Sequence, residues 1–316
     1  MSQRVLICGS LAFDSIMVFP GQFQDHFLPN SQQSVNAVFE VEQLRREFGG
    51  CGGNIAYSFQ ALGGKSVVMG TLGLDGAIYL DRMNEWGCDT HHVRVLSDTY
   101  TAQAFITTDR HSNQIVAFYP GAMNECHINH VYSAPDDIAL AIVAPQGYEG
   151  MKQHVYECFE RRLPCLFDPG QGLPLFSAEP LLETISQSTW LIVNDYESKL
   201  LEKILGMNVR EIASLVEALI ITRAADGSEI HFKNGEILIV PAVQTHRAVD
   251  PTGCGDAYRA GLMYGLIHGW SWLKTARLAS LLGSIKIEVH GGQNHTIEPD
   301  DLAQRYETLF HEPLWG

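Results

Sequence analysis

Neither cysteine chemistry nor positive charge organises this sequence. Its seven cysteines, Cys8, Cys51, Cys88, Cys126, Cys158, Cys165 and Cys254, are scattered, and no two stand in C-x-x-C spacing. That leaves no zinc-ribbon signature and no disulfide framework. No run of lysine or arginine is longer than a pair such as Arg45-Arg46, and 21 basic residues face 36 acidic ones for a formal charge of −15. A nucleic-acid binder needs a basic surface that displaces counterions from phosphates, so DNA, RNA and anionic membranes are not expected partners. No stretch approaches the roughly 20 apolar residues of a membrane span. Residues 1–4 lead straight into the apolar residues 5–8, a run too short for the core of a secretory signal. The expectation is a reduced, cytoplasmic protein.

Two phosphate-binding fingerprints are missing as well. Gly64-Lys65-Ser66 ends like a P-loop, but the glycine needed five positions earlier is Phe59. The glycine run at 49–53 fails G-x-G-x-x-G because its last position is Ile55. A P-loop NTPase and a dinucleotide dehydrogenase are both disfavoured.

What the chain does have is a 46% apolar fraction over 316 residues, enough for one large core. Short apolar runs at 5–8, 67–70, 138–144, 165–167, 190–193 and 219–222 predict strands. Three-to-four spacing of apolar positions predicts helices over 55–62, 150–162, 195–205, 209–218 and 257–268. Strands alternating with helices predict an α/β fold with a doubly wound, mostly parallel sheet. Residues 15–48 and 99–126 break that rhythm with strand-like alternation and no helix. They are expected to pair into a small antiparallel β lid over the ligand crevice, leaving 1–14, 49–98 and 127–316 as the core.

Chemistry concentrates in residues 250–261. Gly253-Cys254-Gly255 opens a helix, so its free N–H groups and the helix dipole make an anion cradle. Asp256 follows in the first turn. A carboxylate there can accept the proton of an attacking hydroxyl while the N–H groups stabilise a transferred phosphoryl. An acidic first-turn residue is also favourable for the helix alone, so position leaves both readings open. Gly49-Gly50-Cys51-Gly52-Gly53-Asn54 carries four glycines in five residues before a helix, which admits close backbone approach to a ligand. Asn54 can donate and accept, as sugar hydroxyls require, or simply cap the helix. Asn194 and Glu197 end a strand and share a helix face. They suit a hydrated magnesium ion, and equally a helix cap. The turn from Thr222 to Ser228 fits a nucleotide phosphate or a hairpin.

In this order the motifs resemble the ribokinase (PfkB) family of carbohydrate and nucleoside kinases over nearly the whole chain. The first motif matches residues 49–54, continuing through Gly63-Gly64 to Gly73, Asp75 and Gly76; the second matches 250–256; the N-x-x-E motif matches Asn194 to Glu197. The resemblance implies Asp256 as general base, with Gly253, Cys254 and Gly255 as the anion hole. It implies Asp14, Gly50 and Asn54 at the sugar, and Thr222, Gly227 and Ser280 at the nucleotide. ATP and Mg²⁺ follow as cofactors, with Asn194 and Glu197 holding Mg²⁺ through water. Asp250 and Thr252, with carbonyls from 287–292, match the K⁺ site of members that use potassium. Pro251, Cys254, Ala224 and Ser280 depart from the commoner Thr, Ala, Gly and Asn.

The wording is most similar to bacterial adenosine-kinase-like nucleoside kinases, on residues 49–57, Asp168-Pro169-Gly170-Gln171-Gly172, 250–256 and Gly291 to His295. This implies phosphorylation of a nucleoside, adenosine or a related one, at the ribose 5′-hydroxyl, within purine salvage. Phe13, Phe19, Phe39, Phe105, Phe118 and Tyr119 are available to stack on the base, or to form the lid's own core. Gln114 is placed to hydrogen-bond the base. The alternatives are a kinase of a free sugar such as ribose, and a non-catalytic ligand-binding protein on the same fold. An exposed lid edge makes a homodimer a further expectation.

Overall fold

The order in which the apolar runs become strands decides where a ligand can sit. The computed structural model describes residues 3–25, 38–111 and 113–315. β1 (Arg4–Cys8) is buried from Val5 to Cys8, as befits a strand covered on both faces. The chain then leaves the core as β2 (Ala12–Val18), returns as β3 (Gln43–Gly49) and enters α1 (Cys51–Ala61). β4 (Lys65–Leu72), α2 (Ala77–Glu85) and β5 (Asp89–Val95) extend the sheet on one side of β1. A second excursion forms β6 (Ala102–Thr108) and β7 (Gln114–Tyr119).

The chain next crosses β1 and builds the other side. This half holds β8 (Ile138–Val143), α3 (Tyr148–Glu160), β9 (Cys165–Phe167), α4 (Ala178–Gln187) and β10 (Trp190–Asn194). α5 (Asp195–Leu205), α6 (Val209–Ala213), β11 (Ala218–Thr222) and the hairpin of β12 (Ser228–Phe232) and β13 (Ile237–Val240) follow. α7 (Cys254–Ile267), α8 (Trp272–Lys286) and α9 (Pro299–Phe310) complete the fold.

The large sheet runs β13-β12-β11-β10-β9-β8-β1-β4-β5. It is parallel from β11 to β5, with the hairpin antiparallel at one edge. Alternate residues of β1 feed opposite faces: Ile7 joins a cluster with Phe59 and Tyr258, and Leu6 one with Phe167 and Leu191. The sheet is thus doubly wound, as expected. Strand order reverses between β1 and β8, and the crevice at the carboxyl ends of such strands is where ligands bind.

Several boundaries differ from the sequence reading. α1 begins at Cys51, so the glycine motif is the helix's own first turn. The helix expected over 209–218 stops at Ala213 because β11 takes over from Ala218. β5 lacks an apolar run because it is an edge strand, with only Val93 buried.

The lid is a four-stranded sheet, β3-β2-β6-β7. Its outer pairs are antiparallel, but β2 and β6 pair in parallel, since both leave the core end of the lid in the same direction. It starts at Ala12 rather than residue 15. Gly121–Ile128 belongs with the core: Ala122 and Cys126 are buried, and the Thr71 hydroxyl donates to the Ala122 carbonyl at 2.6 Å. The part of the expected lid between 26 and 37 lies outside the described residues.

Candidate active site

A cleft of about 380 Å³ opens at the strand reversal, between the core and the lid. Its polar lining comes from Asp14 on β2, Asp168 beyond β9, Asn194 and Glu197 at the β10–α5 junction, and Asp256 on α7. From the lid come Ala104 and Phe118, which face each other across β6 and β7.

The glycine motif makes the cleft's floor by close packing. Gly50 has φ +84°, and a Cβ there would lie 2.5 Å from the Ser10 carbonyl. Gly52 presses on Gly9, where a Cβ would come within 2.7 Å of backbone. Gly50 and Gly52 serve the meeting of α1 with the end of β1, while Gly49 and Gly53 leave room for the Asp14 carboxylate and the Tyr79 hydroxyl.

Asp256 is 9% exposed in the first turn of α7. Gly253, at φ +80°, precedes that turn, and its φ favours glycine. The Cys254 N–H is spent on the Pro251 carbonyl at 3.1 Å. Among the described residues the N–H groups of Gly253 and Gly255 donate to no protein group. The expected anion hole therefore keeps two of its three backbone donors, Gly253 and Gly255.

Asn54 lines the cleft, and its amide is also engaged within the protein. Its Nδ2 donates to Asp256 Oδ2 at 2.8 Å, and its Oδ1 accepts from Gln293 Nε2 at 3.0 Å. Gln293 also donates to the Tyr79 hydroxyl at 2.7 Å, which donates in turn to the Gly49 carbonyl at 2.7 Å. Asn54 orients the carboxylate of Asp256 and is itself oriented from behind.

A buried ion pair walls the cleft beside them. Arg259, one turn beyond Asp256, donates through Nη2 to Asp168 Oδ1 at 2.9 Å, through Nε to Asp168 Oδ2, and through Nη1 to the Gly255 carbonyl at 2.9 Å. Asp168 is 1% and Arg259 7% exposed. Burial raises the Asp256 carboxyl above its ordinary pKa, opposed by the Arg259 charge and the Asn54 hydrogen bond. A carboxyl tuned upward is what a general base near neutral pH needs. The roles of Asp168 and Arg259 escaped the sequence reading. The available signals were a carboxylate just past a buried strand and a cation three residues after the base, in a helix of small and apolar residues.

Asn194 and Glu197 form a reciprocal cap: Asn194 Oδ1 accepts from the Glu197 N–H, and Glu197 Oε2 from the Asn194 N–H, both at 2.8 Å. Burial and the Asp168 charge raise the Glu197 carboxyl. Its other oxygen is left for the cleft. Among the described residues no group of three or more His, Cys, Asp or Glu could cage a metal. A single carboxylate beside an amide suits Mg²⁺, which keeps several waters.

Among the described residues Asp14 forms no ion pair; burial and the charges of Glu47, Asp256 and Asp250 push its pKa up to about 6. Thr222 lies beside Asn194 in the β10–β11 register, its hydroxyl donating to the Val193 carbonyl at 3.4 Å. Gly227, at φ +96°, is tucked against Val240, where a Cβ would meet the carbonyl at 2.1 Å.

Three other expected site residues are engaged within the protein. Gln114 is exposed and bonded to Thr108, about 13 Å along β7 from Phe118, so it does not reach the cleft. Ser280 accepts from the Val243 N–H at 2.8 Å and donates to the Pro241 carbonyl, tying the chain after β13 to α8. The Asp250 carboxylate accepts from the Thr252 N–H at 2.9 Å and the Gly291 N–H at 2.9 Å, while the Asp250 and Val289 carbonyls both accept from Lys286 Nζ. The Lys286 ammonium thus stands among the carbonyls from which the expected potassium site would be built. Of the lid aromatics, Phe19, Phe23 and Phe39 pack on one another at 5.0–5.7 Å, and Phe118 faces the cleft.

The pattern of the pfkB family carbohydrate kinases matches residues 10–299. A nucleoside kinase from Burkholderia thailandensis, solved in complex with inosine, superposes with a TM-score of 0.88 at 49% identity, over 98% of this chain and 99% of that one. A nucleoside kinase from Methanocaldococcus jannaschii is 27% identical over 274 residues, covering 86% of this chain and 89% of its own. Arabidopsis thaliana ribokinase, complexed with ribose and ATP, shares the fold at 16% identity and a TM-score of 0.80, over 97% of this chain and 99% of that one.

Proposed function

The chain belongs to the pfkB family of carbohydrate kinases, phosphotransferases with an alcohol acceptor, and on that basis we propose that it transfers the γ-phosphoryl of ATP to the 5′-hydroxyl of a nucleoside, adenosine or a related one. The observation that carries the mechanism is Asp256: a buried, upward-tuned carboxylate beside the unspent N–H groups of Gly253 and Gly255, inside a cleft that also holds Asp14. Asp14 accepts the ribose hydroxyls. Asp256 takes the 5′-OH proton, and the two N–H groups stabilise charge on the transferred group. Lid closure brings Phe118 over the base and excludes water. Glu197 and Asn194 would hold Mg²⁺ through water on the ATP side, where the ion neutralises phosphate charge. Thr222 and the turn to Gly227 flank that side.

The test is ADP release with Mg·ATP across adenosine, inosine, guanosine, cytidine and ribose. Turnover of purine nucleosides places the enzyme in purine salvage. Turnover of ribose alone would keep the fold and discard the nucleoside reading. No helix among the described residues is long and apolar enough to cross a membrane, and all seven cysteines are free. We place the activity in the cytoplasm, to be checked by cell fractionation.

Asp14 predicts a pH dependence. Its carboxylate binds hydroxyls when ionised, so the nucleoside KM is expected to rise as pH falls through about 6. Asp14→Asn should give a high KM that no longer changes over that range. A wild-type KM that is flat from pH 7 to 5 would remove Asp14 from the sugar site.

The lid edge supports a homodimer. β7 exposes Ile115, Val116, Phe118 and Tyr119 by 40–54% on a strand paired on one side only. Such an edge invites a second strand. Sedimentation at micromolar concentration is expected to give a dimer; a monomer at every concentration would end this proposal.

A further inference from the structure

Lys286, the last residue of α8, has no exposed surface. A buried ammonium is unfavourable without partners. Burial accordingly lowers its pKa from the ordinary lysine value, against the charges of Cys254, Asp250 and Asp256. It forms no ion pair with any described carboxylate. Instead Nζ donates to two backbone carbonyls, those of Asp250 at 2.9 Å and Val289 at 3.1 Å. Main-chain oxygens are the surroundings a free alkali cation would seek.

The two carbonyls belong to loops that are otherwise stitched together. Val249 N–H and Asp250 N–H both donate to the Ile287 carbonyl, at 2.8 and 3.1 Å. The Asp250 carboxylate takes the N–H groups of Thr252 and Gly291. Gly253, which starts the catalytic turn, packs so closely on Gly292 that a Cβ would lie 3.0 Å from its Cα. The ammonium therefore sits behind the loop that presents Gly253, Gly255 and Asp256 to the cleft.

We propose that the Lys286 ammonium is a tethered monovalent cation, standing at the carbonyl site where the family resemblance leads one to expect free potassium, and that turnover here does not require K⁺. The residues do not fit a free ion. The Asp250 and Val289 oxygens are committed to Nζ, and a second cation beside an ammonium is repelled in a partly desolvated site. Lys286 is a positioning residue: it holds loop 249–255 against loop 287–292 and touches no reacting atom.

The proposal rests on the kinase reading above only for its activity arm. Wild-type turnover with Mg·ATP is expected to agree within about twofold between equal concentrations of potassium chloride and choline chloride, far below one decade of rate. Activation by potassium of about tenfold or more would overturn the proposal. The Lys286→Ala variant is expected to lose at least about tenfold in kcat in choline chloride. Its thermal midpoint should also fall, and potassium but not choline should restore part of both. A variant unchanged in kcat and midpoint, or inactive in both salts with no potassium effect on its midpoint, would reduce Lys286 to ordinary packing or anchoring and sink the stand-in role. If the variant does not fold, the wild-type salt comparison decides. If nothing is phosphorylated in any salt, the proposed activity fails separately, and the midpoints still judge Lys286.

Discussion

Asp256→Asn is expected to cut kcat by roughly 10²- to 10⁴-fold, the range that loss of a general base costs. The substitution keeps the volume and one oxygen, which can still accept from Asn54 Nδ2 at the 2.8 Å contact. Nucleoside binding should therefore persist, with a Kd changed by less than the factor of 10 that 1.4 kcal/mol represents. Calorimetric titration of the nucleoside together with single-turnover phosphoryl transfer separates the two effects. A variant within about tenfold of wild-type turnover would show that Asp256 is not the base. Loss of both binding and turnover would point instead to collapse of the Asn54–Gln293–Tyr79 chain behind it.

Breaking the Asp168–Arg259 pair should produce the largest change in stability. Arg259→Met leaves the Asp168 carboxylate buried without its cation, a situation that costs about 3–5 kcal/mol. The same change removes the charge that lowers the Asp256 pKa, while Asp168, which raises it, remains. Asp256 then stays protonated to higher pH, so the acid limb of kcat/KM should move upward. Asp168→Asn acts the other way on that limb, because it removes the charge that raises Asp256 and leaves the charge that lowers it. A double variant, Asp168→Leu with Arg259→Met, should recover most of the stability, since well-packed apolar residues often replace buried ion pairs at little cost. Urea unfolding of the wild type, Asp168→Leu, Arg259→Met and the double variant forms the cycle. Simple additivity of the two single losses would mean the pair is not the unit described here.

Much of the site was legible because its requirements are local. Gly50 and Gly253 stand where backbone must adopt positive φ, and glycine is the residue that permits it, so the two motifs announce themselves. Asp256 follows one of them in a helix's first turn. The buried strands read as apolar runs for the same local reason: both faces are covered. Asn194 and Glu197, three apart, formed the cap their spacing allowed.

Local pattern does not reveal partners brought together by chain closure. Asn54 meets Asp256 across 202 positions, and Arg259 meets Asp168 across 91. Which of two amide groups supports a carboxylate depends on how α1 and α7 pack, and no spacing along the chain encodes that. The lid misled for the same reason: alternation marks β7 as a strand and puts Gln114 and Phe118 on one face, yet only the packing of lid on core decides that the Phe118 end meets the cleft and the Gln114 end does not.

By itself, then, the sequence determined the α/β order, the two glycine turns, the carboxylate in the helix turn after the second of them, and the net negative charge. Each follows from backbone sterics, side-chain periodicity or composition, which act over a few residues or over none in particular. Tertiary structure alone decided that Asn54 meets Asp256, that Arg259 is held by Asp168, and that Lys286 reaches the carbonyls of Asp250 and Val289. Those outcomes depend on which buried polar groups find each other once water is excluded, and burial leaves each of them no alternative partner.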